Sequence, residues 1–190
     1  MQNTLKKTST DQTDQTDQTD MIDPELIPYR HPQPAEAAME LVVPDAIPLD
    51  ERVWVPVGRE VWFRPLCLNA SQGYWVNLLR VKSAGVLSRH RHPQAVHGYV
   101  LKGEWRYLEH DWIAREGSYV YETPGETHTL VVDPGVTEMI TLFQVNGSLI
   151  YVDPDGNPTG FDDVFSRIKK CRNYYEENGL GGGFVDQYIR

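Results

Sequence analysis

The sequence predicts an all-β domain, a sandwich or jelly-roll barrel, followed by one helix. Three observations carry that prediction. About ten short runs of β-forming residues follow one another between Val53 and Val152, each run is bounded by Gly, Pro, Asn or Asp, and a helical apolar period appears only after Gly160. Strands this short and evenly spaced, with almost no helix among them, have only one another to pack against. That leaves two sheets face to face, or one sheet closed on itself.

Ahead of the strands, residues 8–20 repeat Asp-Gln-Thr with no apolar residue to bury. Such a segment does not offset its ordering entropy, so residues 1–24 are expected to be a disordered low-complexity tail. Residues 25–47 are rich in proline and acid, with a short helix expected at Ala35–Leu41. They read as an arm laid over the domain or over a neighbouring subunit. Residues 48–160 form the barrel and 161–190 a C-terminal helix and tail.

Within the barrel, strands are expected at Val53–Val57, Val61–Leu66, Gly73–Val81, Val96–Leu101, Glu104–Leu108, Trp112–Arg115, Ser118–Glu122, His128–Val132, Glu138–Val145 and Ser148–Val152. Asn146-Gly147 signals a two-residue hairpin between the last two. After Gly160, Phe161, Val164, Phe165, Ile168, Cys171 and Tyr175 fall at three- and four-residue steps, the pattern of an amphipathic helix packed outside the barrel. Asp162 and Asp163 lie near its positive end and Gly179 stops it. Gly181–Gly183 reads as flexible, and Phe184, Val185, Tyr188 and Ile189 as a segment that docks again.

A net charge of −9 argues against nucleic acid, whose phosphates need a basic footprint. No run of about 18 apolar residues is present, so no membrane span is expected. The opening MQNTLKKTST has no apolar stretch behind its lysines, which points to a cytoplasmic protein. Cys67 and Cys171 lie far apart, outside any CxxC pattern, and read as two buried thiols in a reducing compartment.

The chemistry concentrates in the histidines. His90-Arg91-His92 sits in strand-like sequence, and on a strand residues i and i+2 share a face, close enough for one metal ion. His128 follows the turn Thr123–Thr127 and opens the run HTLVV. A third imidazole there completes a facial set and leaves coordination positions open for water or substrate. Glu122, six residues earlier, ends its own strand; pointing inward, it would accept a proton from a ligand histidine or from substrate. His97 either joins the site or lies on the exterior, and His31 and His110 read as surface residues. Tyr74, Trp75, Tyr99, Trp105, Tyr107, Tyr119 and Tyr121 supply rings for a pocket, but strand parity alone does not select its members.

The context of these histidines carries a resemblance. Gly85, the His90–His92 triplet and Gly103 fall at spacings that resemble the first cupin motif; Gly117, Thr123-Pro124-Gly125 and His128 resemble the second. Thirteen residues separate Gly103 from Gly117, room for one hairpin turning near Glu109-His110-Asp111. The glutamate ligand that usually follows the HxH is missing, since Val96 and His97 occupy its place. The site is therefore expected to be three-histidine: His90, His92 and His128.

A narrower resemblance runs from about Leu49 to the C-terminus. The stretches VWFRPLCLNASQGYWVNLLRV, LSRHRHPQAVHGYVLKGEWRYLEHDW, EGSYVYETPGETHTLVV and ITLFQVNGSLIYVDPDGNPTGFDDVF are similar to the 2,4'-dihydroxyacetophenone dioxygenase family. Acetylacetone dioxygenase is similar in its three-histidine plan, more remotely. The resemblance implies non-haem Fe(II), with O₂ and an aromatic hydroxyketone as substrates; Glu122, by its place at the strand end, is the expected proton acceptor. Cleavage beside the carbonyl would give an aryl carboxylate and formate. A homo-oligomer is expected by analogy with cupins. Imidazole suits Zn, Mn and Ni as well. The same residues thus also fit a non-catalytic metal-binding sensor cupin, or a cupin enzyme of another class.

Overall fold

The computed structural model describes residues 26–190. The Asp-Gln-Thr repeat lies outside them. The chain divides into a unit ending at Met39 and a unit over Glu40–Arg190. In the first, residues 26–39 are exposed and hold neither strand nor helix. The helix expected at Ala35–Leu41 is replaced by one turn, in which Ala37 N–H donates to Pro34 O at 3.1 Å. A helix of two turns gains too little to nucleate without a face to bury.

In the second unit the strands run β1 Val55–Gly58, β2 Val61–Asn69, β3 Tyr74–Val81, β4 Gly85–Arg91, β5 Val96–Lys102, β6 Glu104–Tyr107, β7 Ala114–Arg115, β8 Tyr119–Glu122, β9 Thr127–Val132, β10 Met139–Asn146, β11 Ser148–Val152 and β12 Pro158–Asp163. A helix, α1, covers Val164–Glu177. The strands form two antiparallel six-stranded sheets, ordered β1-β2-β3-β10-β5-β8 and β12-β11-β4-β9-β6-β7. They face each other in a jelly-roll-like arrangement that backbone bonding does not close into one continuous barrel. No helix among the described residues is long and apolar enough to cross a membrane.

Strand alternation places the core. On β3, Trp75 and Asn77 turn into the space between the sheets, while Leu78 and Arg80 turn outward. The inner cluster gathers Phe63, Trp75, Val100, Trp105, Tyr107 and Phe143. The outer face of the first sheet is covered by a second cluster of Val53, Trp54, Leu78 and Ile140. There the Arg80 guanidinium lies 4.2 Å from the Trp54 ring and is paired with Glu51 at 2.6 Å. Between the two halves of the motif pattern, β6 and β7 form the expected hairpin. Gly103, at its start, has φ 71 and its Cα faces the Glu138 carbonyl so closely that a Cβ would lie 2.3 Å from that oxygen; only glycine fits.

Five local expectations are corrected. Asn146-Gly147 does not make a hairpin: β10 pairs with β3 and β5, whereas β11 pairs with β4 and β12. Gly147, at φ 76, instead turns the chain from one sheet into the other. Next, β12 occupies sequence read as turn and helix start, and the helix begins at Val164. Its cap is Asp163, whose carboxylate accepts from Ser166 N–H while Ser166 Oγ accepts from Asp163 N–H, a closed capping box. The stripe that packs is Val164, Arg167, Cys171 and Tyr175; Phe161 and Phe165 are exposed. Of the two thiols, Cys171 is buried and Cys67 only half-buried. Finally, Gly181 and Gly182 are not loose: their N–H groups donate to Tyr175 O and to the Glu176 carboxylate. Beyond them Val185 and Tyr188 are buried, and Ile189 bridges to Leu68.

Candidate metal centre

The inward face of β4 carries Ser88 and His90, and His92 follows two residues on, just past the strand end. Arg91, between them, points to solvent, as the strand period requires. On β9, the neighbour of β4, His128 is the register partner of His90. Gly125, in the turn before it, donates its N–H to His92 O at 2.7 Å, which locks the two motif halves together. The rings of His90 lie 4.8 Å from those of both His92 and His128, and His92 lies 5.4 Å from His128.

The fourth member comes from the opposite sheet. Glu122 ends β8 and its carboxylate enters the cluster, so that one donor atom from each of His90, His92, Glu122 and His128 lies within 4.8 Å of the others. All four are buried, none more than 5 % exposed. Glu122 is also the register partner of Val96, the position where the motif's glutamate is expected. A carboxylate thus reaches the cluster from the next strand over.

Glu122 Oε2 lies 3.2 Å from His92 Nε2 and 3.4 Å from His128 Nε2, yet neither contact has hydrogen-bond geometry. Both ring nitrogens of His92 and of His128, together with Oε2, are buried without a partner. Buried polar atoms left unpaired are costly, and here they gather in one cluster. That is the arrangement a divalent transition-metal ion satisfies, and three imidazoles with a carboxylate are donors such an ion accepts. Burial, reinforced by its two imidazole neighbours, pushes His90 well below the ordinary histidine value. Burial also lowers His128. Both rings are therefore neutral near pH 7, the form that ligates.

The surroundings fix the donors. Ser88 Oγ sits 3.0 Å from His90 Nδ1. Tyr107 OH donates to Glu122 Oε1 at 2.7 Å. Burial, with Glu122 beside it, raises the Tyr107 phenol well above its ordinary value, so it remains a donor. Thr129, next to His128, donates from both N–H and Oγ1 to the Glu109 carboxylate at 2.7 Å. His90, His92 and Glu122 open onto a cavity of about 390 Å³, while His128 is set back from its wall. Phe63, Trp75 and Phe143 line that cavity with rings.

Of the rings considered from sequence, Trp75 and Tyr107 reach the cavity, and Tyr99, Tyr119 and Tyr121 are exposed. His97 is not in the cluster: it sits on the other face of β5, its Nδ1 2.7 Å from Tyr119 OH. His110 is half-buried, stacked on Trp112 and paired with Glu126 at 2.7 Å. Sequence reasoning missed Ser88, Asn77 and Arg167 on the cavity wall. Ser88 was within reach, two residues before His90 and so on its face.

A family model of the ChrR cupin-like domain matches residues 43–148. The chain belongs to that family. Among solved structures, this cupin is similar to an RmlC-like cupin protein from Ralstonia eutropha JMP134, with 29 % identity, a TM-score of 0.62, and coverage of 67 % of this chain and 83 % of that one. It is also similar to an acetylacetone dioxygenase from Acinetobacter johnsonii, at 15 % identity and TM-score 0.62, covering 77 % of this chain and 99 % of the other. The second likeness is one of fold. A comparison with curated proteins finds no match.

Proposed function

We propose that this cupin is a non-haem Fe(II) dioxygenase that cleaves the carbon–carbon bond beside a carbonyl in an aryl hydroxyketone such as 2,4'-dihydroxyacetophenone. His90, His92 and His128 hold the metal, and Glu122 handles the proton. The observation that carries this reading is the convergence of unpartnered imidazole and carboxylate atoms at the wall of a ring-lined cavity. The resemblance of the β-strand sequences to the dihydroxyacetophenone dioxygenases supplies the substrate class. One fold relative is an acetylacetone dioxygenase, so this fold carries a dioxygenase elsewhere.

When bound, Fe(II) supplies Lewis acidity and the redox partner that O₂ chemistry needs. The protein's own groups do the rest. Glu122 takes up the substrate hydroxyl proton on Oε2, while Oε1 stays bonded to Tyr107. Ser88 and the Tyr107 ring hold His90 and His128 in orientation. Phe63, Trp75 and Phe143 seat the aryl group and keep water from the reacting carbons. Both oxygen atoms of O₂ enter the products: ArCOCH₂OH and O₂ give ArCOOH and HCOOH.

The test is anaerobic reconstitution with Fe(II), Zn(II) or Mn(II), followed by oxygen-electrode assays on a panel of hydroxyketones and β-diketones. About one iron per chain and oxygen uptake only in the iron form are expected. Firm metal retention with no uptake across the panel overturns the dioxygenase reading in favour of a metal-binding cupin without this activity.

A further inference from the structure

The cavity wall holds a cation that the proposed chemistry does not use. Arg167 sits on α1, outside both sheets, yet its side chain lines the cavity and is buried. Its guanidinium lies against two lining rings, 4.6 Å from the centroid of Phe63 and 5.5 Å from that of Trp75. Its carboxylate partner is Asp162, with Nη2 3.1 Å from Oδ2. That carboxylate is heavily shared: it accepts from Tyr151 OH at 2.8 Å, from Ser166 Oγ at 3.1 Å and from Lys170 Nζ at 3.4 Å. The Asp162 carboxylate therefore serves two cations at once, while the neighbouring Asp163 carboxylate is engaged by Ser166 N–H. Arg167 Nε is buried with no hydrogen-bond partner at all. A guanidinium presents five donors in a planar fork suited to charged oxygen, and a buried one left part-bonded is costly unless a ligand completes it.

We propose that Arg167 is the specificity-determining residue of this cavity, receiving an acidic oxygen, phenolic or carboxylic, borne on the aryl ring of the substrate. The inference rests on the cavity being the substrate site of the proposed dioxygenase. What it adds is the residue: the ring oxygen that 2,4'-dihydroxyacetophenone carries is assigned to Arg167, and an aryl hydroxyketone without it is expected to be the poorer ligand. Phe63 and Trp75, beside the guanidinium, give the ring its flat surfaces.

The test compares two probes, 2,4'-dihydroxyacetophenone and 2-hydroxy-1-phenylethanone, which lacks the ring oxygen. Their affinities are measured by calorimetry on the metal-free protein, so that iron chemistry plays no part. Wild type is expected to favour the phenol by roughly tenfold or more, the scale of one charge-assisted hydrogen bond. Arg167→Met erases the preference, and Arg167→Lys keeps part of it because a cation remains. In the iron-loaded protein, Arg167→Met raises KM for the phenol more than for the plain ketone. Equal affinities in wild type overturn the proposal even if the methionine variant fails to fold, as does a preference that survives in a folded Arg167→Met. A binding preference without oxygen uptake keeps the subsite and sinks the dioxygenase reading; uptake without a preference does the reverse.

Discussion

The His128 imidazole lies flat on the Tyr107 ring, with centroids 3.8 Å apart and 6° between the planes. The same tyrosine bonds Glu122 through its hydroxyl, so one residue orients an imidazole and a carboxylate at once. Tyr107→Phe keeps the stack and removes the bond. It is expected to destabilise the fold by ~1–3 kcal/mol, because Glu122 Oε1 is left buried without its donor. Metal retention survives this change. Tyr107→Leu, which also removes the stack, weakens retention by roughly tenfold or more. Thermal melts and metal analysis after dialysis against a chelator check both.

His128→Ala is expected to abolish iron retention, since it takes one of three imidazoles from a buried set. Glu122→Gln keeps the metal and slows turnover, because an amide occupies the same space but accepts no proton. Metal content and steady-state oxygen uptake separate the two cases, and unchanged turnover in Glu122→Gln removes that residue from the mechanism.

The metal-free protein is expected to lose stability on acidification. Burial, then the His92 and His128 neighbours, hold His90 well below its ordinary value of 6.5, and burial lowers His128 too. In the unfolded chain these imidazoles take up protons near pH 6.5, while the folded chain refuses them. Stability is therefore full above that value and falls as pH drops below it, until the folded rings themselves titrate. The loss is ~1.4 kcal/mol per imidazole for each pH unit in that window. Urea melts of the metal-free protein at pH 7.5 and 5.5 measure it, and His90→Asn reduces the slope.

Gly103→Ala and Gly117→Ala separate backbone strain from steric conflict. Both positions have positive φ, 71 and 84, but a Cβ at Gly117 meets nothing within 4 Å whereas one at Gly103 meets Glu138 O at 2.3 Å. The Gly117 variant is expected to cost ~1 kcal/mol. The Gly103 variant costs ~2 kcal/mol or more, as β10 must shift as well. Denaturant midpoints of the two variants give the comparison.

What the sequence revealed follows the range of each signal. Strand alternation and turn residues are local, so most strands and the one-faced pair His90 and His92 were legible. Asn146-Gly147 announced a glycine at positive φ but not its consequence, because partner choice depends on strands dozens of residues away. The place of Glu122 beside Val96 needed the β5–β8 register, which no local pattern encodes. The β12 strand was hidden by Pro158 and Gly160, tolerated there because the strand lies at a sheet edge. The inward place of Arg167 on α1 depends on how the helix docks, which its charged side chain does not announce.

The bond between Tyr107 and Glu122 joins the two layers of the sandwich, β6 lying in one sheet and β8 at the rim of the other. Three imidazoles ride on or beside one layer and the carboxylate on the other, so the cluster works as a gauge of their alignment. A slip of one layer over the other by a single ångström would leave every strand intact and still pull Glu122 off the imidazoles. The tight interlayer packing is thus the site's alignment device: loosening it by substitutions far from any histidine should blunt the chemistry before it melts the protein.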